Sequence, residues 1–251
     1  MECYMDNNLI SYISSLIDIT KGWYKELFAT AYKAEPKKQI ITVCQEIPDR
    51  GIVTWNSEGM EGGRFHSRKL HVPSKFSGLT IGRGYDMKHK NSGKILNDLT
   101  SSGVDINNAT IISMAAGKYG DDAEDYISTK GLQNFEISQC VQKKLFDISY
   151  LEQESEVKRI CGKTDVVKKY GETKWDSLNP AIKDILVDLK FRGDYTGNSR
   201  NIIQKFVANN DLVGFAKEIE KLSNWPNVPS DRFKRRKDFI KNAVAKNNNK
   251  P

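Results

Sequence analysis

The sequence predicts an α+β fold in which a small β-hairpin or sheet precedes a mainly helical part. Residues 51–86 carry many glycines between short β-prone runs, whereas the chain after Asp86 shows helical periodicity almost to its end. Of the 251 residues, 38% are hydrophobic and 28% are charged, which is typical of a globular protein with a buried core. A cleft between the β element and the helices is then the expected place for a polymeric ligand.

The first residues predict an N-terminal extension. Apolar side chains recur near a helical period over residues 7–34, which predicts a helix packed on the main domain. A membrane-interface helix and a docking surface for a carrier or inhibitor protein are the alternatives. Asp6, Asp18 and Glu26 disfavour the interfacial helix, because such helices usually have a strongly basic polar face. The composition of residues 35–50 indicates a connection between this extension and the main domain. We therefore expect an extension over 1–45 and a main domain over 46–251.

The segment from Gly51 to Asp86 predicts the β element. Its glycines separate β-prone runs at residues 52–55 and 79–81, and we expect turns at the glycines. This pattern leaves open whether Glu58 ends a short helix or a strand.

Beyond Asp86 the pattern predicts helices. Asp105 provides a start signal for one of them, and Pro180 occupies an early-turn position in another. The predicted helical ranges are residues 106–116, 137–160, 175–191, 198–207, 212–222 and 232–245.

The net charge of +7 predicts an anionic partner, which could be nucleic acid, an anionic membrane surface or an acidic polymer such as cell wall. A merely solvated lysine-rich surface is the alternative. No apolar run approaches the ~20 residues that span a bilayer, and no basic start or small-residue cleavage site marks a secretory signal. We therefore expect no transmembrane segment and synthesis in the cytoplasm without a signal peptide.

The four cysteines, Cys3, Cys44, Cys140 and Cys161, are widely scattered and form no CxxC pair. In a chain of this length without a signal we expect free thiols. No spacing supports a metal site that combines them with the histidines, so we expect no metal and no cofactor.

Two carboxylates on either side of a predicted hairpin suggest hydrolysis of a glycosidic bond. That reaction needs a protonated acid for the leaving oxygen and a second carboxylate that activates water or stabilises the cationic sugar. Glu58 and Asp86 lie on either side of the hairpin, and the Thr80 hydroxyl could hold a water between them. By spacing alone, Glu58 and Asp86 could equally be ordinary turn and cap residues.

The motifs Ser57-Glu58-Gly59 and Ser77-Gly-Leu-Thr-Ile-Gly-Arg-Gly-Tyr-Asp-Met87 resemble the catalytic signature of pesticin-like muramidases, within the wider superfamily of T-even phage lysozymes. The resemblance implies a lysozyme-like fold. It also implies Glu58 as general acid, Asp86 as second carboxylate and Thr80 as the residue that positions the catalytic water.

The resemblance continues downstream and covers residues 51–245. The segment from Trp175 to Gly193 resembles the central helix of the phage lysozyme lobe, and Trp225 to Arg236 resembles its C-terminal segment with paired basic residues. Asp188 to Thr196 is also similar to muramidase domains of type VI secretion spike proteins. In T-even phage lysozymes the second carboxylate precedes the threonine, so Asp86 follows the pesticin-like pattern. Glu61 could compete with Glu58, but Glu58 matches the Glu-Gly step.

Arginine and aromatic side chains suit anionic, ring-shaped ligands, and several are candidates for binding sugars or peptide stems. Arg83 and Tyr85 are the favoured pair because they adjoin the catalytic strand. The other candidates are Arg68, His71, Arg192 and Tyr195.

The expected activity is that of a muramidase, a glycoside hydrolase that cleaves the β-1,4 bond between N-acetylmuramic acid and N-acetylglucosamine. We expect a monomeric antibacterial toxin or effector that acts in the periplasm or on the cell wall of a target bacterium, with an immunity protein or secretion carrier as a further partner. A phage endolysin is one alternative. A non-catalytic protein that binds peptidoglycan or nucleic acid is another, although no nucleic-acid recognition module is present.

Overall fold

The computed structural model describes Cys44 and residues 46–248. The chain divides into two compact units, Met1–Cys44 and Gln45–Pro251, and the second unit contains all the elements discussed below. The helix predicted over residues 7–34 lies outside the described residues, and the assignment of residues 1–45 as an extension stays a prediction.

The second unit has an α+β fold, as predicted. Strands β1 (Thr80–Ile81) and β2 (Tyr85–Asp86) form a two-stranded antiparallel sheet in which Thr80 pairs with Asp86 and Ile81 with Tyr85. The other described elements are helices: α1 Ile52–Ser57, α2 Ser92–Ser102, α3 Ile106–Ser113, α4 Asp121–Thr129, α5 Gln139–Cys161, α6 Thr164–Tyr170, α7 Pro180–Arg192, α8 Gly197–Ala208, α9 Leu212–Ile219 and α10 Ser230–Asn248, with 3-10 turns at Trp175–Ser177 and Leu222–Asn224.

The β-prone run at residues 52–55 forms helix α1, so its prediction as a strand was wrong. Val53, Thr54 and Trp55 are all buried in this short helix, and Val53 and Trp55 belong to different apolar clusters. At its start the Gly51 N–H donates to Asp184 Oδ2 on α7 at 3.1 Å. Tertiary packing and this contact outweigh the β propensity of Ile, Val, Thr and Trp, which is weak and depends on context. Glu58 follows the last residue of α1 and is therefore presented by the end of a helix.

Local cap signals account for several of the later helices. Asp105 accepts from the N–H groups of Asn107 and Asn108 at the start of α3, as expected for a helix cap. The helix predicted over residues 175–191 is divided into a 3-10 turn and α7, because Pro180 occupies the first turn of α7 and Asn179 caps it. Helices α2, α4 and α6 have no counterpart in the predicted ranges.

The buried apolar residues form two large clusters joined by helix α5. The hairpin cluster contains residues of β1, β2 and α2–α4, and Leu145 of α5 belongs to it. The helical cluster is built mainly around α7 and includes Val157 and Ile160 of α5. A small junction cluster of Trp55, Phe146, Tyr150 and Val187 contains two further residues of α5. One helix thus ties both clusters together.

The described cysteines meet the expectation of free thiols only in part, and Cys3 lies outside the described residues. Cys161 is free and buried. Cys44 and Cys140, in contrast, each take part in disulfide bonding. The expectation was wrong for these two because scattered sequence positions do not report which thiols the fold brings within bonding distance.

Among the described helices, none combines the length and the apolar composition needed to cross a membrane.

Candidate active site

A cleft of about 590 Å³ contains all three residues of the predicted catalytic set, Glu58, Thr80 and Asp86. Its walls come from the end of α1, the β-hairpin, the loop between them and the first turns of α10. The remaining lining residues are Asn56, Ser57, Gly59, Met60, Phe65, Ser67, His71, Pro73, Gly84, Phe191, Asp231 and Arg235.

Glu58 is held by a buried arginine. Arg232 of α10 donates from Nη1 to Glu58 Oε1 at 2.6 Å. The exposed fraction of the side chain is 19% for Glu58 and 8% for Arg232, so this contact lies largely out of water. Glu58 Oε2 lies beside the turn glycine Gly84, 3.3 Å from where a Cβ would stand. One carboxyl oxygen is therefore fixed by a charge-assisted hydrogen bond, and the other faces the hairpin.

Arg232 belongs to a buried network centred on Asp188 of α7. Arg232 Nη2 donates to Asp188 Oδ1 at 2.6 Å, and Arg236 Nε donates to Asp188 Oδ2 at 2.5 Å. Burial alone would lower the pKa of Arg232, but Asp188 and Glu58 outweigh this effect and raise it. Arg232 accordingly stays charged, and it links the acid at the end of α1 to the core of the helical cluster.

Asp86 is held by backbone N–H groups. Gly78 N donates to Oδ2 at 3.1 Å and Lys88 N donates to Oδ1 at 2.7 Å. A Cβ on Gly78 would stand 2.3 Å from Asp86 Oδ1, so only glycine allows this approach. Each carboxyl oxygen keeps a lone pair that is available to a ligand or a water in the cleft.

Thr80 lies opposite Asp86 in the register of the hairpin. Its Oγ1 donates to the Gly78 carbonyl at 3.0 Å, and its backbone pairs in both directions with His71. Because the hydroxyl proton is used in this bond, the oxygen is oriented as an acceptor for a water molecule.

Glu61, the competing acid of the sequence analysis, does not line the cleft. Its carboxylate contacts Arg68, Arg83 and Gln142. Burial acts to raise the pKa of Glu61, but the hydrogen bonds from Gln142 and Arg68 outweigh it and lower the pKa. Glu58 is therefore the better candidate for the acid, because it lines the cleft and Glu61 does not, and a lowered pKa is opposite to what a general acid needs.

Arg83 and Tyr85, the favoured substrate-binding pair, point away from the cleft. Arg83 donates to the carbonyls of Trp55 and Gly59 at 2.7 and 2.8 Å and packs over the Trp55 ring. The Tyr85 hydroxyl donates to Asp98 at 2.7 Å inside the hairpin cluster. Burial, followed by Asp98, raises the pKa of Tyr85. Both side chains have structural roles in this arrangement.

Of the other four candidates only His71 lines the cleft. Arg68 pairs with Glu61 and Glu136, and Arg192 pairs with Asp194 and donates to the Asn227 carbonyl. Tyr195 is buried, with its hydroxyl donating to Gln204 at 2.5 Å. Burial, followed by Cys161, raises the pKa of Tyr195.

Several residues in the cleft, or in the buried network that holds Glu58, had no role assigned from the sequence. Arg232 was noted only as part of a basic segment, and Asp188 only as part of a resemblance. Met60 and Phe65, which are 53% and 38% exposed, present apolar side chains to the cleft. The pairing of Arg232 with Glu58 spans 174 positions, and no local pattern reports such a contact.

Residues 51–237 match the family described as a domain of unknown function, DUF8812, and the chain belongs to that family. The match spans Glu58, Thr80 and Asp86 together with Asp188, Arg232 and Arg236. The comparison with curated proteins found no match.

Proposed function

We propose that this protein is a muramidase that hydrolyses the β-1,4 bond between N-acetylmuramic acid and N-acetylglucosamine in peptidoglycan. The observation that carries the proposal is that Glu58, Thr80 and Asp86 line one cleft. The two carboxylates are held in unlike ways, one by an arginine and the other by backbone N–H groups. Unlike surroundings are what a division between acid and second carboxylate requires.

The proposed reaction divides the proton transfers between the two carboxylates. Protonated Glu58 donates from Oε2 to the glycosidic oxygen while Oε1 keeps its bond from Arg232. A water held by the Thr80 hydroxyl attacks the anomeric carbon, and its proton passes to Asp86. The glycosidic C–O bond breaks, the leaving sugar takes the Glu58 proton, and the new hydroxyl arises with inversion.

We further propose that the fold is lysozyme-like. Two features support this: a small hairpin cluster is joined to a larger helical cluster by the 23-residue helix α5, and the cleft is lined by both the hairpin and helix α10. A cleft between two parts of the fold suits a polymeric substrate.

The test is release of muropeptides and reducing ends from purified sacculi. We expect Glu58→Gln and Asp86→Asn each to abolish release while the circular dichroism spectrum is unchanged. Glu61→Gln is the matched control, because Glu61 is a neighbouring carboxylate outside the cleft, and it should retain activity. Full activity of either cleft variant would reject the assignment. Following the anomeric configuration of the product by NMR checks inversion.

The proposed biological role is an antibacterial toxin or effector that acts in the periplasm or on the wall of a target bacterium. An effector that can lyse kin requires a tightly binding immunity protein in the producing strain, whereas an endolysin does not. Recovery of one stoichiometric partner that inhibits the hydrolysis supports the effector role. Salt-dependent DNA retention without release of reducing ends would instead favour a nucleic-acid binder.

A further inference from the structure

Two exposed aromatic side chains, each beside a lysine, lie next to the cleft. Phe76 is 68% exposed and Tyr119 is 50% exposed. The Nζ atom of Lys75 lies 4.9 Å from the centre of the Phe76 ring, and that of Lys88 lies 4.5 Å from the centre of the Tyr119 ring. Lys88 Nζ also donates to the Phe76 carbonyl at 2.8 Å. We refer to Lys75, Phe76, Lys88 and Tyr119 as the hairpin-side surface.

The backbone connects this surface directly to the cleft lining. Pro73 lines the cleft, and a turn closed by the Ser77 N–H and the Ser74 carbonyl leads from it through Phe76. Gly78 then donates to Asp86 and forms a β-bridge with Tyr119. The backbone that holds the Asp86 carboxylate therefore also fixes the positions of Tyr119 and Phe76 relative to it.

We propose that the hairpin-side surface binds the glycan strand of peptidoglycan where it leaves the cleft on the Asp86 side. The identity of this ligand rests on the proposed function. Aromatic rings bury large flat areas, and the apolar face of a pyranose ring packs against such an area. The two lysines add attraction for the carboxylates that stem peptides carry at intervals along the strand.

The charges around the surface favour a glycan over other anionic polymers. Asp121, Asp122 and Glu124 are exposed in the first turn of α4, which begins two residues after Tyr119. A nucleic-acid backbone or an anionic bilayer presents continuous negative charge and would be repelled there. A strand of neutral N-acetyl sugars with spaced carboxylates can be accommodated.

The experiment measures retention on purified sacculi in the Glu58→Gln background, so that binding is observed without turnover. We expect the added pair Phe76→Ala and Tyr119→Ala to raise the apparent Kd roughly tenfold. The matched control is Leu151→Ala with Leu222→Ala, which removes side chains that are 47% and 59% exposed outside this surface. Its apparent Kd should stay within about twofold of the parent.

Two further arms identify the ligand. Glycan strands freed of stem peptides by an amidase should still bind the parent protein, and the two alanine substitutions should still weaken that binding. In proteins with intact Glu58, the loss of kcat/KM caused by the same two substitutions should grow with glycan length.

Equal retention of the Phe76→Ala, Tyr119→Ala variant and its parent would overturn the proposal. It would also be overturned if retention depended on the stem peptides alone, or if the surface bound DNA in place of glycan. If wild-type protein releases no reducing ends but binding still depends on Phe76 and Tyr119, the hydrolysis is rejected and the binding surface stands.

Discussion

Arg232 contacts two acidic side chains that lie 44 and 174 positions away in the sequence, Asp188 and Glu58. Its guanidinium is almost fully enclosed, so removing its charge leaves both carboxylates without a counterion on that side. Uncompensated buried charge is costly, because the desolvation that was offset by the ion pair is no longer offset.

We therefore expect Arg232→Gln to lower the free energy of unfolding by about 3 kcal/mol. Arg235→Gln is the control: Arg235 lies three residues away on the same helix and pairs with Asp231, and their side chains are 39% and 62% exposed. Its loss should cost less than about 0.5 kcal/mol. Urea unfolding followed by circular dichroism measures both values, and similar costs for the two variants would contradict a special role of Arg232.

At His71 we expect a dependence of stability on pH. Burial lowers its pKa, and nearby His66 adds to this, while the hydrogen bond to the Lys69 carbonyl acts in the opposite direction. His71 therefore binds a proton less readily in the folded protein than in the unfolded chain, where its pKa is the ordinary value of 6.5. The unprotonated His71 side chain therefore contributes its full stability at pH values above 6.5. This contribution is lost as the pH falls through the lower pKa that His71 has in the folded protein.

We expect His71→Asn to flatten the change in unfolding midpoint between about pH 7 and about pH 5.5. Asparagine keeps an amide donor for the Lys69 carbonyl but cannot titrate. Urea midpoints of both proteins at the two pH values provide the test, and parallel pH profiles would show that His71 does not contribute.

The sequence was sufficient to predict that Glu58 and Asp86 share one cleft, but not to predict the direction in which neighbouring side chains point. Neighbouring residues of a strand point to opposite faces, so Tyr85 is buried where Asp86 reaches the cleft. Proximity in sequence to the strand that carries Thr80 was therefore a poor guide for Arg83 and Tyr85. Tyr195 was misplaced for a related reason, because composition does not distinguish a ligand-facing tyrosine from one whose hydroxyl is paired in the core.

At the scale of elements, the turn of the hairpin controls the approach of Glu58 to β2. Gly84 has a φ of +80°, and a Cβ there would stand 3.0 Å from Phe191 Cε1 and 3.3 Å from Glu58 Oε2. A side chain would thus add crowding at the acid to the backbone strain of a left-handed residue.

We expect Gly84→Ala to lower kcat on sacculi at least tenfold and to reduce stability by more than Gly63→Ala does. Gly63 is the matched control, because its φ is +72° and an added Cβ would meet nothing within 4 Å. Both variants bear the strain of about 1–2 kcal/mol, but only the first displaces Glu58 and Phe191. Equal effects of the two substitutions on kcat would show that the turn does not position the acid.

The elements that were predicted correctly are those with local signals. Helix α3 begins after Asp105, the predicted start signal, whereas α7 begins at Pro180, later than the predicted start at residue 175. Helix α1 was missed because its β-prone residues are helical only through contacts with α7, such as Gly51 N–H with Asp184. A contact across 133 positions cannot be read from a local pattern.

At the scale of the whole molecule, the hairpin and helical clusters share helix α5 but meet through few buried side chains. Phe146 is 1% exposed in the junction cluster, where its ring lies 5.1 Å from the Trp55 ring and 6.2 Å from the Phe191 ring. Trp55 lies on α1, which ends just before Glu58, and Phe191 lines the cleft. The junction cluster therefore packs against elements that form the cleft, and we expect it to couple the stability of the two larger clusters.

We expect Phe146→Ala to cost about 4 kcal/mol, because it leaves a cavity between side chains that cannot fully collapse. Leu151→Ala, at a position of α5 that is 47% exposed, should cost less than about 0.5 kcal/mol of unfolding free energy.

Native-state hydrogen exchange tests the coupling of the two clusters more directly. In the wild type, amides of α2 and α7 should open together at the global free energy of unfolding. In Phe146→Ala the hairpin cluster should open at a lower free energy than α7, since its coupling through the junction is lost. An equal drop in protection across both clusters would mean that α5 alone couples them.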